Sequence, residues 1–159
     1  MVASPVIEWR IVAGPNTVIT SLALTGSGYS GAIPLGTSSS VFTVRLYNNY
    51  LVAAGIADAT NCILASYDDV THQGTAITGP TLNDYLTVSV ADYNGSTTGA
   101  DTLYYPIGGN TKHLVPVNNA VLSGTGSNYF TINLILVIPM TATQGLLSQG
   151  LWLEFSSTA

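Results

Sequence analysis

A period-two alternation of apolar and polar side chains recurs along this chain and constrains the fold more than any other feature. Such alternation is typical of β-strands that bury one face. The clearest runs span residues 7–11, 42–46, 86–90, 130–136 and 151–155. Segments rich in β-branched and apolar residues at 17–25 and 61–67 predict two more strands. Since no stretch repeats with a helical period, we expect an all-β protein.

Turn residues separate these runs and indicate how the strands are arranged. Gly79-Pro80, Asn94-Gly95 and Gly108-Gly109 are typical of tight connections. About eight short strands spaced by such turns predict a β-sandwich, with a jelly roll as the alternative. The 159 residues suit one domain. We expect residues 1–40 to hold an N-terminal arm and the first strands of the same domain, and residues 41–159 to form the sandwich.

Charged side chains are scarce, and this excludes several classes of partner. The chain has 3 Lys or Arg, 8 Asp or Glu and a net charge of −5. So few cations cannot neutralise a run of phosphates or form a polybasic membrane patch, so we expect neither nucleic-acid nor membrane binding. The polar surface must instead come from 15 Ser, 20 Thr and 11 Asn. Low charge gives little protection against association, so we expect self-assembly or docking on a large partner. A monomer with a Thr-rich β surface is the alternative.

Two stretches carry a resemblance to a known family. Residues 41–49 (VFTVRLYNN) precede the Gly55 loop and the strand at 61–65, and residues 131–139 (TINLILVIP) run into an Ala-Thr-Gln-Gly turn. This order resembles bacterial Ig-like β-sandwich modules. The resemblance implies an Ig-like sandwich without catalytic residues. Small Thr- and Gly-rich proteins of this kind are similar in style to phage capsid decoration, or cement, proteins.

The resemblance and the composition together lead to a functional hypothesis. The segment that opens at Met1 shows no secretory signal pattern, so we expect synthesis and assembly in a host cytoplasm. We predict a non-enzymatic structural virion protein, a decoration protein that stabilises a bacteriophage shell as a small homo-oligomer such as a trimer. Its partners would be its own copies and the major capsid or another virion protein, and residues 1–5 would be an arm that orders on docking. The alternative is a carbohydrate-binding or adhesive module of a tail fibre or cell surface.

Tyrosines near loops are the candidates for contact with such partners. Tyrosine is frequent in binding interfaces because it combines a large apolar ring with a polar hydroxyl. The alternative is that these residues reflect the preference of tyrosine for strands. The interface candidates are Tyr29, Tyr93, Tyr104, Tyr105 and Tyr129.

Catalytic, cofactor and metal sites are not predicted. No Gly-x-Ser-x-Gly elbow accompanies His72 or His113, and we expect both histidines to lie in turns or loops. Asp92, Asn94 and Asp101 are oxygen ligands suitable for Ca²⁺, but their spacing does not match an EF-hand. Asp68 and Asp69 also offer oxygen ligands for Ca²⁺, and they do not match an EF-hand either. We expect no metal and no cofactor.

Three further residues have structural interpretations. Cys62 lies among apolar strand residues, so we predict a buried thiol rather than a nucleophile. Asn48 and Asn49 follow a strand, where their side chains would cap turn amides. Asn94-Gly95 is typical of a tight turn.

Overall fold

The computed structural model describes residues 2–12, 17–19, 33–67, 86–107, 111–141 and 150–157. They form eight strands and one short turn, Val117–Ala120, in which residues 118–120 have left-handed backbone. Among the described residues, no helix is long and apolar enough to cross a membrane. The strands are β1 (Ile7–Ile11), β2 (Phe42–Asn48), β3 (Ala59–Tyr67), β4 (Leu86–Tyr93), β5 (Tyr105–Pro106), β6 (His113–Leu114), β7 (Asn128–Leu136) and β8 (Gly150–Ser157).

Two antiparallel sheets enclose the core. The larger sheet has the order β1-β2-β7-β4-β5, and the smaller has the order β6-β3-β8. One buried apolar cluster takes residues from both sheets. The predicted all-β sandwich of about eight strands is confirmed. The largest fully buried side chains are Phe130, Leu46, Leu64, Ile107, Leu122, Ile132, Leu134, Val44, Val88, Val90, Val115 and Val117.

The alternation read from the sequence matches the inner face of the larger sheet. Leu46 lies opposite Phe130 across β2 and β7, and both side chains are fully buried. Burial of such a side chain contributes about 1.5–3 kcal/mol relative to leaving it exposed. The next pair along the strands, Arg45 opposite Thr131, lies on the other face. The period of two therefore fixes which face of each strand reaches the core.

A β-bulge interrupts the pairing of β4 with β7. Val90 lies opposite Ile132, but the next pair on β4 begins at Asp92, so Ala91 is the extra residue. Asp101 stabilises this bulge, because its Oδ2 accepts a hydrogen bond from the Val90 N–H at 3.0 Å and its own N–H donates to the Val90 carbonyl at 2.9 Å. Such a bulge changes the face to which the following side chains point.

The N-terminal segment is bonded to the rest of its own chain. The Ala3 N–H donates to the Gly55 carbonyl at 2.7 Å, and the Ala57 N–H donates to the Ala3 carbonyl at 2.8 Å. This differs from the expected arm that orders on docking, since Ala3 already pairs with residues 55–57. Within the predicted strand at 17–25, Val18 forms an isolated bridge with Arg10, and residues 20–25 lie outside the described residues.

Two buried asparagines, Asn48 and Asn49, form what we call the amide joint at the end of β2. The Asn48 Nδ2 donates to the carbonyls of Ala57 at 2.9 Å and Leu122 at 3.1 Å, and its Oδ1 accepts from the Val6 N–H at 2.9 Å. Buried amides are stable where their donors and acceptors are paired. Asn48 therefore ties the N-terminal segment to two separate loops.

Asn49 extends the same joint toward the β6–β7 connection. Its Nδ2 donates to the carbonyls of Ala53 and Gly124, and its Oδ1 accepts from the Ala53 N–H at 2.8 Å. The predicted capping of a turn amide is confirmed for Asn49, whereas Asn48 accepts instead from the distant Val6 N–H. At Gly124 the backbones approach so closely that an added Cβ would overlap the carbonyl oxygens of Ile56 and Ala57.

Candidate interaction surfaces

The five tyrosines predicted as interface candidates do not form one patch. Tyr104 and Tyr105 lie at β5, an outer strand of the larger sheet. Tyr93 ends β4 and lies opposite Phe130, a core residue. Tyr129 lies near the start of β7, the neighbouring strand in the sheet, with its ring on the opposite face. Tyr29 lies outside the described residues. The candidates therefore divide among three separate surroundings.

The first surrounding is an exposed apolar surface where β5 of one sheet meets β6 of the other. We call it the edge surface and define it by Leu103, Tyr104, Tyr105 and Leu114. Their exposed fractions are 64%, 39%, 39% and 57%. Leu103, Tyr104 and Tyr105 are consecutive, whereas Leu114 follows His113 in β6 and so points to the face opposite the one on which His113 meets Tyr105. Exposed apolar residues that gather along one edge are typical of binding surfaces. The edge surface is thus a candidate for docking.

A largely buried histidine–aspartate pair contacts the edge surface at Tyr105. His113 Nε2 lies 2.7 Å from Asp101 Oδ2, and the two side chains are 14% and 6% exposed. The Tyr105 ring stacks on the His113 ring, with centroids 4.4 Å apart and planes 7° from parallel. These contacts fix β5 of the larger sheet against β6 of the smaller one. The sequence predicted a turn at His113, but the residue lies in β6 because Leu64 on β3 pairs with it.

The second surrounding contains Tyr129 and lies on the outer face of the larger sheet. The Arg45 guanidinium carbon is 4.3 Å from the centroid of the Tyr129 ring, and Tyr47 contacts Tyr129 with centroids 5.1 Å apart. Arg10 lies 3.4 Å from the Tyr50 centroid. Cation–π contacts of this kind contribute about 0.5–2 kcal/mol. Tyr129 is half-buried and engaged with its own sheet, which suits a structural role.

The third surrounding is an open pocket of about 310 Å³ beside Tyr93. Seven residues line it, namely Tyr93, Ser96, Thr98, Gly99, Pro116, Asn118 and Asn119. The Tyr93 ring contacts Phe130, with centroids 5.6 Å apart. Burial raises the pKa of Tyr93 above its ordinary value, a backbone hydrogen bond with Ser123 opposes that rise, and the Asp58 carboxylate adds to it.

A left-handed turn forms one wall of this pocket. Asn118, Asn119 and Ala120 have φ values of 50°, 54° and 58° in succession. Left-handed backbone costs about 1–2 kcal/mol for each residue that carries a Cβ, although asparagine tolerates it better than most. The turn is held by the Asn118 Nδ2, which donates to the Val121 carbonyl at 2.7 Å, and by the burial of Ala120.

The residues considered for metal binding or catalysis have other partners where the structure describes them. The Asp92 Oδ1 accepts from the Gly95 N–H at 2.8 Å, whereas Asp101 binds Val90 and His113. Within the described residues, no group of three or more His, Cys, Asp or Glu side chains is placed to hold a metal ion. Residues 68–72, including His72, lie outside that part of the chain.

Two smaller predictions are confirmed. Cys62 is fully buried, and burial raises the pKa of its thiol to about 12, although a backbone hydrogen bond with Leu122 lowers it in part. Asn94-Gly95 forms a two-residue turn, because Tyr93 and Ser96 exchange backbone hydrogen bonds of 2.9 and 2.8 Å. Both central residues have positive φ, 49° and 82°, as this hairpin turn requires.

Sequence reasoning missed Leu103, Leu114 and the pair Asn118-Asn119. Leu103 stands in a polar connection, and Leu114 lies in a strand of two residues, which is too short to show alternation. The Asn-Asn dipeptide was a usable signal, since asparagine is enriched where the backbone takes positive φ. Nothing in the sequence showed that this turn would face Tyr93.

Comparison with protein-family models, with curated proteins and with solved structures found no match to this chain.

Proposed function

We propose that this protein is a non-enzymatic structural component of a bacteriophage virion, a decoration protein that docks on the capsid as a small homo-oligomer. The observation that carries the proposal is the edge surface, an exposed apolar group on a chain with little charge. The Ig-like resemblance is consistent with this role and remains a prediction. The main partners are other copies of the chain and the major capsid protein.

The edge surface is suited to contact with a second copy. Its members Leu103 and Leu114 are more than half exposed, so their burial in an interface would remove apolar area from water. The stacked Tyr105 and His113 rings hold the surface in one shape. A surface that is already ordered loses less side-chain entropy on binding.

The scarcity of charged side chains also favours contact between copies of the chain. The chain has 3 Lys or Arg. Lys112 pairs with Glu154 at 2.8 Å, Arg10 pairs with Glu8 at 2.7 Å, and Arg45 lies over the Tyr129 ring. Few charged groups would therefore lose their hydration when two copies come together, although the net charge of −5 opposes their approach. Many copies on one shell would each contribute weak contacts, which together give high avidity.

The surroundings of the histidine–aspartate pair support a non-enzymatic role. Asp101 stabilises the β4 bulge and binds His113, and the Tyr105 ring covers the imidazole. A general base must reach the proton that it removes. In this pair both side chains are mostly buried and serve to join the two sheets.

The first experiment is sedimentation of the native source lysate through a density gradient, with the chain traced by antibody. Co-migration with particles of virion size supports the proposal, and electron microscopy of those particles would then place the protein on capsid or tail. A chain that stays at the top of the gradient as a small species contradicts it.

A second experiment tests the edge surface directly. Light scattering of the purified protein should give a mass that is a multiple of 16.5 kDa. The L103E/L114E variant should shift toward the monomer mass. L51E is the matched control, because Leu51 is 81% exposed but lies in the turn after β2. Equal effects of L51E and L103E/L114E, or a monomeric wild-type protein, would count against the edge surface.

A further inference from the structure

The pocket beside Tyr93 is uncharged, which restricts the ligands that it suits. Its lining is one tyrosine, two asparagines, a serine, a threonine, a glycine and a proline. A phosphate or carboxylate ligand requires cationic or clustered N–H donors, and the chain has a net charge of −5. The lining therefore favours a neutral ligand over an anionic one.

The polar groups of the pocket are available for a ligand. Within the described part of the chain, the side chains of Ser96, Thr98 and Asn119 make no hydrogen bond. Hydroxyl and amide groups both donate and accept, as do the hydroxyls of a sugar. A purely apolar ligand would remove these groups from water without replacing their hydrogen bonds, which is unfavourable. The lining thus favours a ligand that carries several hydroxyls.

Tyr93 supplies the apolar component of the pocket. Its ring contacts Phe130, with centroids 5.6 Å apart. An aromatic ring presents a flat face to the C–H face of a pyranose. The volume of about 310 Å³ lies at the lower end of the ~300–1,000 Å³ range of small-ligand sites. One sugar ring matches that size better than an extended chain.

The shape of the pocket is built in advance. Three consecutive left-handed residues, 118–120, present Asn119 to the pocket. Opposite them, Gly99 has a φ of 77°, and an added Cβ there would lie 3.1 Å from the Pro116 carbonyl oxygen. Unusual backbone of this kind is found preferentially at functional sites. A fixed pocket also avoids the entropy loss of ordering loops on binding.

We propose that this pocket binds a neutral saccharide, with one pyranose ring against Tyr93 and its hydroxyls bonded to Ser96, Thr98 and Asn119. The site is independent of the edge surface. A decoration protein that assembles through the edge surface would carry this pocket as a second, glycan-binding function. Failure of one proposal leaves the other intact.

The test is NMR titration of the labelled full chain with methyl glycosides of glucose, galactose, mannose and N-acetylglucosamine. We expect saturable shifts at residues 93–99 and 118–119 for at least one probe, with a dissociation constant of about 1 mM. Inorganic phosphate at the same concentrations should give none. Absence of saturable shifts with all four glycosides overturns the proposal, and so does saturation of the same residues by phosphate.

Variants distinguish a binding role from a structural one. N119G removes the amide but keeps the left-handed backbone, and should weaken binding about fivefold. The matched control is N61G, because Asn61 is also exposed with a φ of 53° but lies in β3. Y93F keeps the ring and should retain stacking. Equal affinity in N119G and wild type would refute the assigned contacts, as would an equal loss in N61G.

Discussion

The amide joint and the edge surface invert the usual distribution of side chains in opposite ways. Asn48 and Asn49 are polar yet 0% and 2% exposed, whereas Leu103 and Leu114 are apolar yet more than half exposed. The asparagines satisfy their hydrogen bonds within the chain. The leucines at the edge remain largely in water. The difference teaches that a buried polar residue here serves the fold, whereas an exposed apolar residue is available to a partner.

The largest effect should come from breaking the amide joint. Asn48→Ala removes the partners of the Val6 N–H and the Ala57 carbonyl, and should lower the free energy of unfolding by about 3 kcal/mol. Urea denaturation measures this change. The control is Asn133→Ala, since Asn133 is half-buried and accepts one side-chain hydrogen bond, from Thr43. A loss in Asn48→Ala no greater than in the control would remove the joint's special role.

A steric change at the same joint should rank second. Gly124→Ala forces a Cβ against the carbonyls of Ile56 and Ala57, and should destabilise by about 2 kcal/mol. Gly95→Ala meets no atom within 4 Å but has a φ of 82°, so it should lose only about 1 kcal/mol. Thermal unfolding of both variants gives the order. The reverse order would show that the backbones at Gly124 separate easily.

The pH dependence of stability tests the burial of the Cys62 thiol in the core. Burial raises the pKa of Cys62 from 9.0 to about 12, so the unfolded chain loses the proton first as the pH rises. Stability should therefore fall from about pH 9 toward pH 12, with a contribution from this thiol of up to about 1.4 kcal/mol per pH unit. Cys62→Ala should flatten the profile in that window. Identical profiles for the two proteins would contradict the burial of the thiol.

The smallest change in stability should come from the edge surface. L103E and L114E should alter the free energy of unfolding of the monomer by no more than about 0.5 kcal/mol, because both side chains are exposed. Denaturation at low protein concentration is the measurement. A loss comparable with that of Asn48→Ala would mean that the edge surface serves the fold, and the comparison between the two regions would fail.

Much of the sandwich could be predicted from local pattern. The alternation in β2 and β7 assigned Val44, Leu46 and Phe130 to the core correctly, because one face of each strand is buried. The turn at Asn94-Gly95 was predictable because few other dipeptides tolerate two successive positive φ values. Each of these patterns involves residues that are close together in the sequence.

The binding surfaces could not be predicted, because they depend on contacts between distant segments. The sequence predicts Tyr93 and Tyr129 as interface candidates of one kind, yet the register of β4 and β7 places their rings on opposite faces. β5 and β6 have two residues each, which is too few for a period. The edge surface exists because Asp101 and His113 bring these two strands together, a pairing with no local signature.

The bulge at Ala91 determines which side chains at the end of β4 face the core. Counting in regular steps from Val90 would place Asp92 opposite Phe130 and turn its carboxylate into the core, with Tyr93 outward. One extra residue reverses that order, so that Tyr93 lies opposite Phe130 and Asp92 opposite Thr131. Removal of Ala91 would restore regular pairing and keep Tyr93 opposite Phe130, whereas one further inserted residue beside the bulge would bring Asp92 opposite Phe130 and place an ion where the aromatic ring now lies. The chain's tolerance of insertions should therefore be low here, although the neighbouring turn is exposed.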